Sequence, residues 1–222
     1  MNCQAIRLLP GQEAGRIVAE LEQSKFADGK LTASGYARDV KHNLQLDREG
    51  QRLIDLDKAV FSLFQTSKEF QAFAIPRRVV SPIFSRYDPG MRYGSHVDNA
   101  MMGPNGDVRA DCAVTLFLSA PDTYDGGELV VEFPLGEQRI KLDAGEAIVY
   151  PASTVHHVAP VTRGVRYAAV TWVQSMIRDE RMRGILYDIN RSLHYPEVAG
   201  SPEITLLLTK SYHNLLRYAA DS

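Results

Sequence analysis

The chain contains six histidines, His42, His96, His156, His157, His194 and His213. Of these, His96 has an acid two residues on, Asp98, in the stretch GSHVDN. Residues i and i+2 of an extended segment face the same side, so this imidazole and this carboxylate can reach one common ion. Taken alone, the pair also fits a polar turn following the strand around Arg86 and Tyr87. A metal site needs a further ligand from elsewhere in the fold.

The stretch YPASTVHHVAP offers one. His156 and His157 are adjacent, so in a strand they point to opposite faces and one of them can join His96. Two imidazoles and one carboxylate on one face, with other positions open, form a ligand set suited to non-haem iron(II). No cysteine lies nearby to favour a structural zinc site. Arg166 follows His156 by ten residues, past a turn at 162–164. An antiparallel return would put it on the neighbouring strand. Its guanidinium fork can hold a carboxylate through two parallel bonds. Its neighbours Val165, Tyr167, Ala168, Ala169 and Val170 imply burial, where an unpaired charge is costly. No Ser-His-Asp or Cys-His arrangement competes. Cys112 lies in a core strand pattern and reads as an inert thiol.

These residues need a frame to hold them. Between about 79 and 175 the runs VVSPIFSRY, CAVTLFLSA, GELVVEF, EQRIKLD, EAIVYP, HHVAPV and RYAAVTWVQS are short and β-rich. Turn signals such as Pro89-Gly90, Asp125-Gly126-Gly127, Ala144-Gly145 and Arg163-Gly164 separate them. Strands at this spacing predict a β-sandwich or barrel. Residues 99–109 have no period and read as a long loop, a candidate lid. Helical spacing predicts helices over 11–24 and over 51–69, the second carrying Leu53, Leu56, Val60, Leu63 and Phe64. Residues 25–47 are mixed, with a strand expected near 36–46. Two amphipathic helices are expected over 177–193 and 203–219, split by Pro196, Gly200 and Pro202. The chain thus divides into an N-terminal helical and strand region (1–77), a β core (78–177) and a helical extension (178–222). The extension can pack on the core or on a second subunit, as in a homodimer.

Composition sets the outer limits. The 222 residues carry 25 Lys+Arg against 27 Asp+Glu, and 45% are apolar. There is no basic excess to hold a phosphate backbone, so nucleic acid is not expected as a partner. No apolar run reaches a membrane-spanning length, and the first residues lack the pattern of a signal peptide. Cys3 and Cys112 are expected unpaired in a reducing cytoplasm.

The ordered set His96-Val97-Asp98, His156 and Arg166 resembles the pattern of Fe(II)/2-oxoglutarate dioxygenases. More narrowly, RYDPGMRYGSHVD, TLFLSAPDTYDGGELVV, LDAGEAIVYPASTVHHVAPVTRGVRYAAVTWVQSMIRD, KHNLQ and the closing YHNLLR are similar to the bacterial PKHD-type hydroxylases, close to the prolyl 4-hydroxylase branch. The resemblance extends over nearly the whole chain. It implies an α+β fold with a distorted double-stranded β-helix (jelly roll) core. It implies that His96, Asp98 and His156 bind Fe(II), with His156 preferred to His157 because it follows an apolar residue ten before the arginine. Arg166 would bind the distal carboxylate of 2-oxoglutarate, and Tyr87 would place its hydroxyl against the same group. Trp172 reads as a core wall. The implied reaction is hydroxylation of a substrate C–H bond using 2-oxoglutarate and O2, with L-ascorbate as a reductant. The substrate, a small molecule or a peptide residue, is not readable. The competing reading is a jelly-roll module that keeps the metal but only binds or senses; a cosubstrate arginine would be superfluous there.

Overall fold

The computed structural model describes residues 3–47 and 51–220, with backbone alone for 51–54. The expected position of Leu53 in the second helix's apolar stripe therefore lies outside the described side chains. Two antiparallel sheets form the centre. The larger runs Gln4–Arg7, Glu146–Pro151, Cys112–Phe117, Arg166–Ser175, Ile83–Tyr87, Leu44–Leu46, Phe26–Asp28, with Pro76–Val79 also paired to Arg166–Ser175. The smaller runs Gly136–Ile140, Leu129–Phe133, His156–Val158, Arg92–His96, Lys41–His42. Segments from the N-terminal third thus extend both sheets.

The strand Cys112–Phe117 explains why the core runs are continuously apolar rather than alternating. All six of its residues are buried. Val114 and Leu116 face a core shared with helix residues Leu21, Val60, Phe64 and Phe70. Ala113 and Phe117 face a second core, with Leu129, Val131, Tyr150 and Trp172. Successive side chains take opposite faces, and both faces are covered. This is the jelly-roll core that the strand pattern and the resemblance led us to expect.

The helices differ in detail from the sequence reading. The first spans Gly11–Glu22. The second breaks in two, Gln51–Thr66 and Lys68–Ala74, because Ser67 caps the second piece, its hydroxyl accepting from the Phe70 amide at 3.2 Å. The strand expected near 36–46 begins late: Gly35–Asp39 is a short helix, and Lys41–His42 and Leu44–Leu46 are the strands. The C-terminal helices are Glu180–Ser192 and Pro202–Ala219, with a short turn of helix, Pro196–Ala199, between them. Asp179 caps the first, accepting from the Met182 amide at 2.8 Å.

Residues 99–109 are a hairpin rather than an aperiodic loop. Met101–Met102 pairs with Val108–Arg109, and Gly103 and Gly106 take the positive φ that the reversal needs. Arg78 pairs with Asp107 at 2.8 Å, and Arg109 pairs with Asp111 at 2.8 Å, holding the hairpin to the larger sheet. Both thiols are free. No helix among the described residues is long and apolar enough to cross a membrane.

Candidate metal centre and cosubstrate pocket

His96 ends its strand directly across from His156, which opens the neighbouring one. Their ring centroids are 4.3 Å apart. Each ring is oriented in the same way. His96 Nδ1 lies 2.8 Å from the Gly94 carbonyl, and His156 Nδ1 lies 2.9 Å from the Thr154 carbonyl. A carbonyl can only accept, so Nδ1 carries the proton in both rings and Nε2 keeps its lone pair. Such second partners fix the tautomer and aim of metal-binding histidines. Asp98, two residues past His96, brings Oδ1 to 3.9 Å from His156 Nε2. One ligand atom from each of the three residues lies within 4.8 Å of the other two.

The electrostatics of this cluster are incomplete without a cation. Burial, with the adjacent His156 ring adding to it, holds His96 down at about 3, so its imidazole stays neutral in ordinary buffers. Burial pushes the Asp98 carboxyl up, while His156 and Lys41 act the other way. Among the described residues, the buried Asp98 Oδ2 has no hydrogen-bond partner. A buried carboxylate facing two bare Nε2 atoms, none in hydrogen-bond contact, fits a divalent ion bound by imidazole and carboxylate. His157 pairs with Val130 on the adjacent strand and does not line the cavity.

A test of this balance is the variant Asp98→Asn. In chelator-treated protein it should raise the melting temperature, because it removes a buried charge that His156 and Lys41 offset only in part. A gain of about 1 kcal/mol is worth roughly 2–4 °C in a chain of this size. The folded-state pKa of Asp98 lies above its unfolded value, so the cost of the carboxylate appears above about pH 4 and is absent in stronger acid. The advantage of the amide should therefore vanish as pH falls. Calorimetry that finds the metal-free variant less stable at pH 7 would contradict this account.

Arg166 is fully buried, 1% exposed. Its strand partner is Tyr87. The guanidinium lies 5.2 Å from the Tyr87 ring centroid and 5.3 Å from that of Phe117. Among the described residues no carboxylate lies within ion-pair distance of it. Among the described residues its buried Nε has no hydrogen-bond partner, and the Tyr124 hydroxyl lies beside the guanidinium. The Tyr87 hydroxyl, also buried, faces Asn43. Arg166, Tyr87, Asn43, His96, Asp98 and His156 line one cavity, with Leu129, Val158, Val170 and Trp172 as apolar wall. The five residues singled out in the sequence thus meet in one place. Trp172 is a wall residue whose indole also faces Asp98.

Sequence reading missed Asn43, Tyr124, Tyr93 and Gly127. Tyr93 stacks on the His96 ring at 3.7 Å. Tyr124 and Asn43 lie in the quoted stretches TLFLSAPDTYDGGELVV and KHNLQ, but nothing in their spacing gave either a role. The Asp125-Gly126-Gly127 turn signal was visible, but not the reason for its second glycine. Gly127 has φ +67, and a Cβ there would lie 2.9 Å from Arg166 Cδ and 2.9 Å from Val161 Cγ2. The glycine lets the arginine stem pass. Gly127→Ala should displace Arg166 and weaken binding of a dicarboxylate in this pocket at least tenfold, read by calorimetric titration. Wild-type affinity would remove Gly127 from the site's construction.

The chain matches the 2OG-Fe(II) oxygenase superfamily over residues 82–174. A PKHD-type hydroxylase of Synechococcus elongatus is 46% identical over 215 residues, covering 95% of each chain. The PKHD-type hydroxylase YbiX of Escherichia coli is 41% identical over 217 residues, again covering 95% of each. Among solved structures, a Pseudomonas putida prolyl-4-hydroxylase aligns with TM-score 0.56 at 18% identity, covering 78% of this chain and 92% of that one. A Trichoplax adhaerens prolyl hydroxylase, in complex with a hypoxia inducible factor oxygen degradation domain peptide fragment, aligns with TM-score 0.56 at 20% identity, covering 82% and 86%. The structural likenesses bear on the fold; the identity along almost the full length decides the family: the chain belongs to the PKHD-type hydroxylases of the 2OG-Fe(II) oxygenase superfamily.

Proposed function

We propose that His96, Asp98 and His156 hold Fe(II), and that Arg166 and Tyr87 hold the distal carboxylate of 2-oxoglutarate, in an enzyme that hydroxylates a C–H bond. Family membership makes the chain a dioxygenase using Fe(II), 2-oxoglutarate and O2. The observation that carries the residue assignment is Arg166: a fully buried guanidinium that, among the described residues, has no carboxylate partner and shares a cavity with two bare imidazoles and an unpartnered carboxylate oxygen. Each half lacks what the other half's ligand would bring.

When bound, iron(II) and the cosubstrate supply the oxidising chemistry: O2 and 2-oxoglutarate become succinate and CO2, and one oxygen atom enters the substrate C–H bond. The chain's own part is orientation and exclusion of water. Carbonyls 94 and 154 hold the two Nδ1 protons so that both Nε2 atoms face Asp98. Arg166 and Tyr87 set the depth at which a five-carbon diacid sits. Leu129, Val158, Val170 and Trp172 dry the space between.

The test is Fe(II)-dependent release of succinate, followed by mass spectrometry of candidate substrates for a gain of one oxygen. It is run with and without L-ascorbate, which we assign as an auxiliary reductant. Iron and 2-oxoglutarate binding without any succinate would favour the sensor reading instead. The substrate is a small molecule or a peptide residue. The free thiols Cys3 and Cys112 support a cytoplasmic location. Exposed Ile204, Leu206 and Leu207 on the last long helix support a homodimer through that face. Sedimentation of wild type against Leu206→Glu tests it: an unchanged monomer in both would exclude the dimer.

A further inference from the structure

The segment KHNLQ has an inverted pattern. Lys41, Asn43 and Gln45 are 5%, 2% and 6% exposed, whereas His42 is exposed and Leu44 half-buried. Alternate residues of an extended run share a face, so the inward face here is wholly polar. An inward polar face needs partners, because buried polar groups without them are costly. All three residues line the cavity that holds the metal centre.

Lys41 is the charged member. Its strand is the edge strand beside the one carrying His96, and it pairs with Tyr93. The ammonium sits 5.0 Å from the Tyr93 ring centroid, and that ring in turn stacks on His96. Lys41 Nζ donates to Thr32 Oγ1 at 3.1 Å, and Thr32 donates to Gln45 Oε1 at 2.6 Å. Thr32 therefore fixes the head of the lysine and uses one of its three protons. Among the described residues Lys41 has no ion-pair partner. Burial lowers its pKa to about 8, with Asp98 and Asp28 opposing the drop, so the group stays mostly protonated at neutral pH.

Charge counting gives the second argument. The charged side chains lining the cavity are Lys41, Asp98 and Arg166. A divalent ion and Arg166 together balance Asp98 and the two carboxylates of 2-oxoglutarate. Lys41 is left over: one positive charge in a cavity with apolar walls. Thr32, Ala33, Ser34 and Ala37 also line this cavity, so Lys41 shares it with a segment that carries neither the proposed metal ligands nor the Arg166 contacts.

We propose that Lys41, held by Thr32 and Gln45, receives a carboxylate of the primary substrate and thereby orients its C–H bond toward the metal centre. The inference rests on the assignment of iron and 2-oxoglutarate made above, and names the class of substrate: a carboxylate-bearing molecule. Acetate is a sufficient probe, with acetamide as its neutral counterpart.

The protein is labelled with 13C at the lysine ε carbon and loaded with Zn(II), a diamagnetic ion, and 2-oxoglutarate. The Lys41 resonance is assigned by its loss in Lys41→Met. Acetate should move this resonance saturably, with half-saturation at least tenfold below that of any response at the exposed Lys25, and acetamide should not move it. Thr32→Val should weaken the acetate response severalfold. A linear response equal to that of Lys25 would overturn the proposal. So would equal responses to acetate and acetamide, which would indicate a neutral acceptor site. If instead 2-oxoglutarate alone moves the resonance and acetate then does nothing, Lys41 serves the cosubstrate and the proposal falls. Failure of the underlying assignment is read separately: the wild-type Fe(II) protein would then lack the visible absorption of an iron–2-oxoglutarate chelate.

Discussion

His96→Ala, Asp98→Ala and His156→Ala should each lose Fe(II) binding by more than 100-fold, whereas His157→Ala should bind within a few fold of wild type. Losing a partner one shell out from a metal commonly costs 10–100-fold, and losing one of three direct ligands costs more. Asp98→Ala should be the most severe, since it removes the negative charge that offsets the ion and leaves two neutral imidazoles. The three ligand atoms lie within 4.8 Å of one another, and the space between them cannot be filled by His157, which pairs with Val130 outside the cavity lining. Metal titration of the four variants, followed by succinate release at saturating iron, decides the matter. An active His156→Ala beside an inactive His157→Ala would reverse the assignment.

The second large effect is expected at Arg166. Truncating one member of a buried charged pair costs roughly 2–5 kcal/mol, much of it from the charge left unpaired. At about 1.4 kcal/mol per decade this is about 30- to 4,000-fold in affinity. Arg166→Ala should therefore weaken 2-oxoglutarate binding by that range and leave Fe(II) binding nearly intact. Arg166→Lys should fall between, keeping the charge without the fork. Arg163 provides the control. Its side chain is 60% exposed and pairs with Asp125 at 2.7 Å, an exposed pair of the kind worth little. The measurement is 2-oxoglutarate affinity of the Fe(II) protein, read from visible absorption. Wild-type affinity in Arg166→Ala, or a larger loss in Arg163→Ala, would move the cosubstrate contact to another residue.

Much of this protein is determined locally and can be read without its fold. The runs from 79 to 175 announce strands because their β-rich composition and turn glycines act over a few residues. His96 and Asp98 share a side because an extended backbone alternates. His156 and His157 diverge for the same reason. Arg166 announces its burial through its immediate neighbours, and the family resemblance adds order along the chain. Other features depend on distant partners. The hairpin at 101–109 is held by Arg78 on another strand. Gly127 is required by the stem of Arg166, 39 positions away in the numbering. The polar residues Lys41, Asn43 and Gln45 fall in the strand expected near 36–46, but polarity alone does not distinguish a solvated strand face from one facing a cavity. Only the pairing of Lys41 with Tyr93, and of Tyr93 with His96, decides that this face looks inward. Local chemistry determines which groups are present and which way neighbours point. The long-range pairing of strands decides which groups meet, and whether a charge is left in a cavity without an opposite charge beside it.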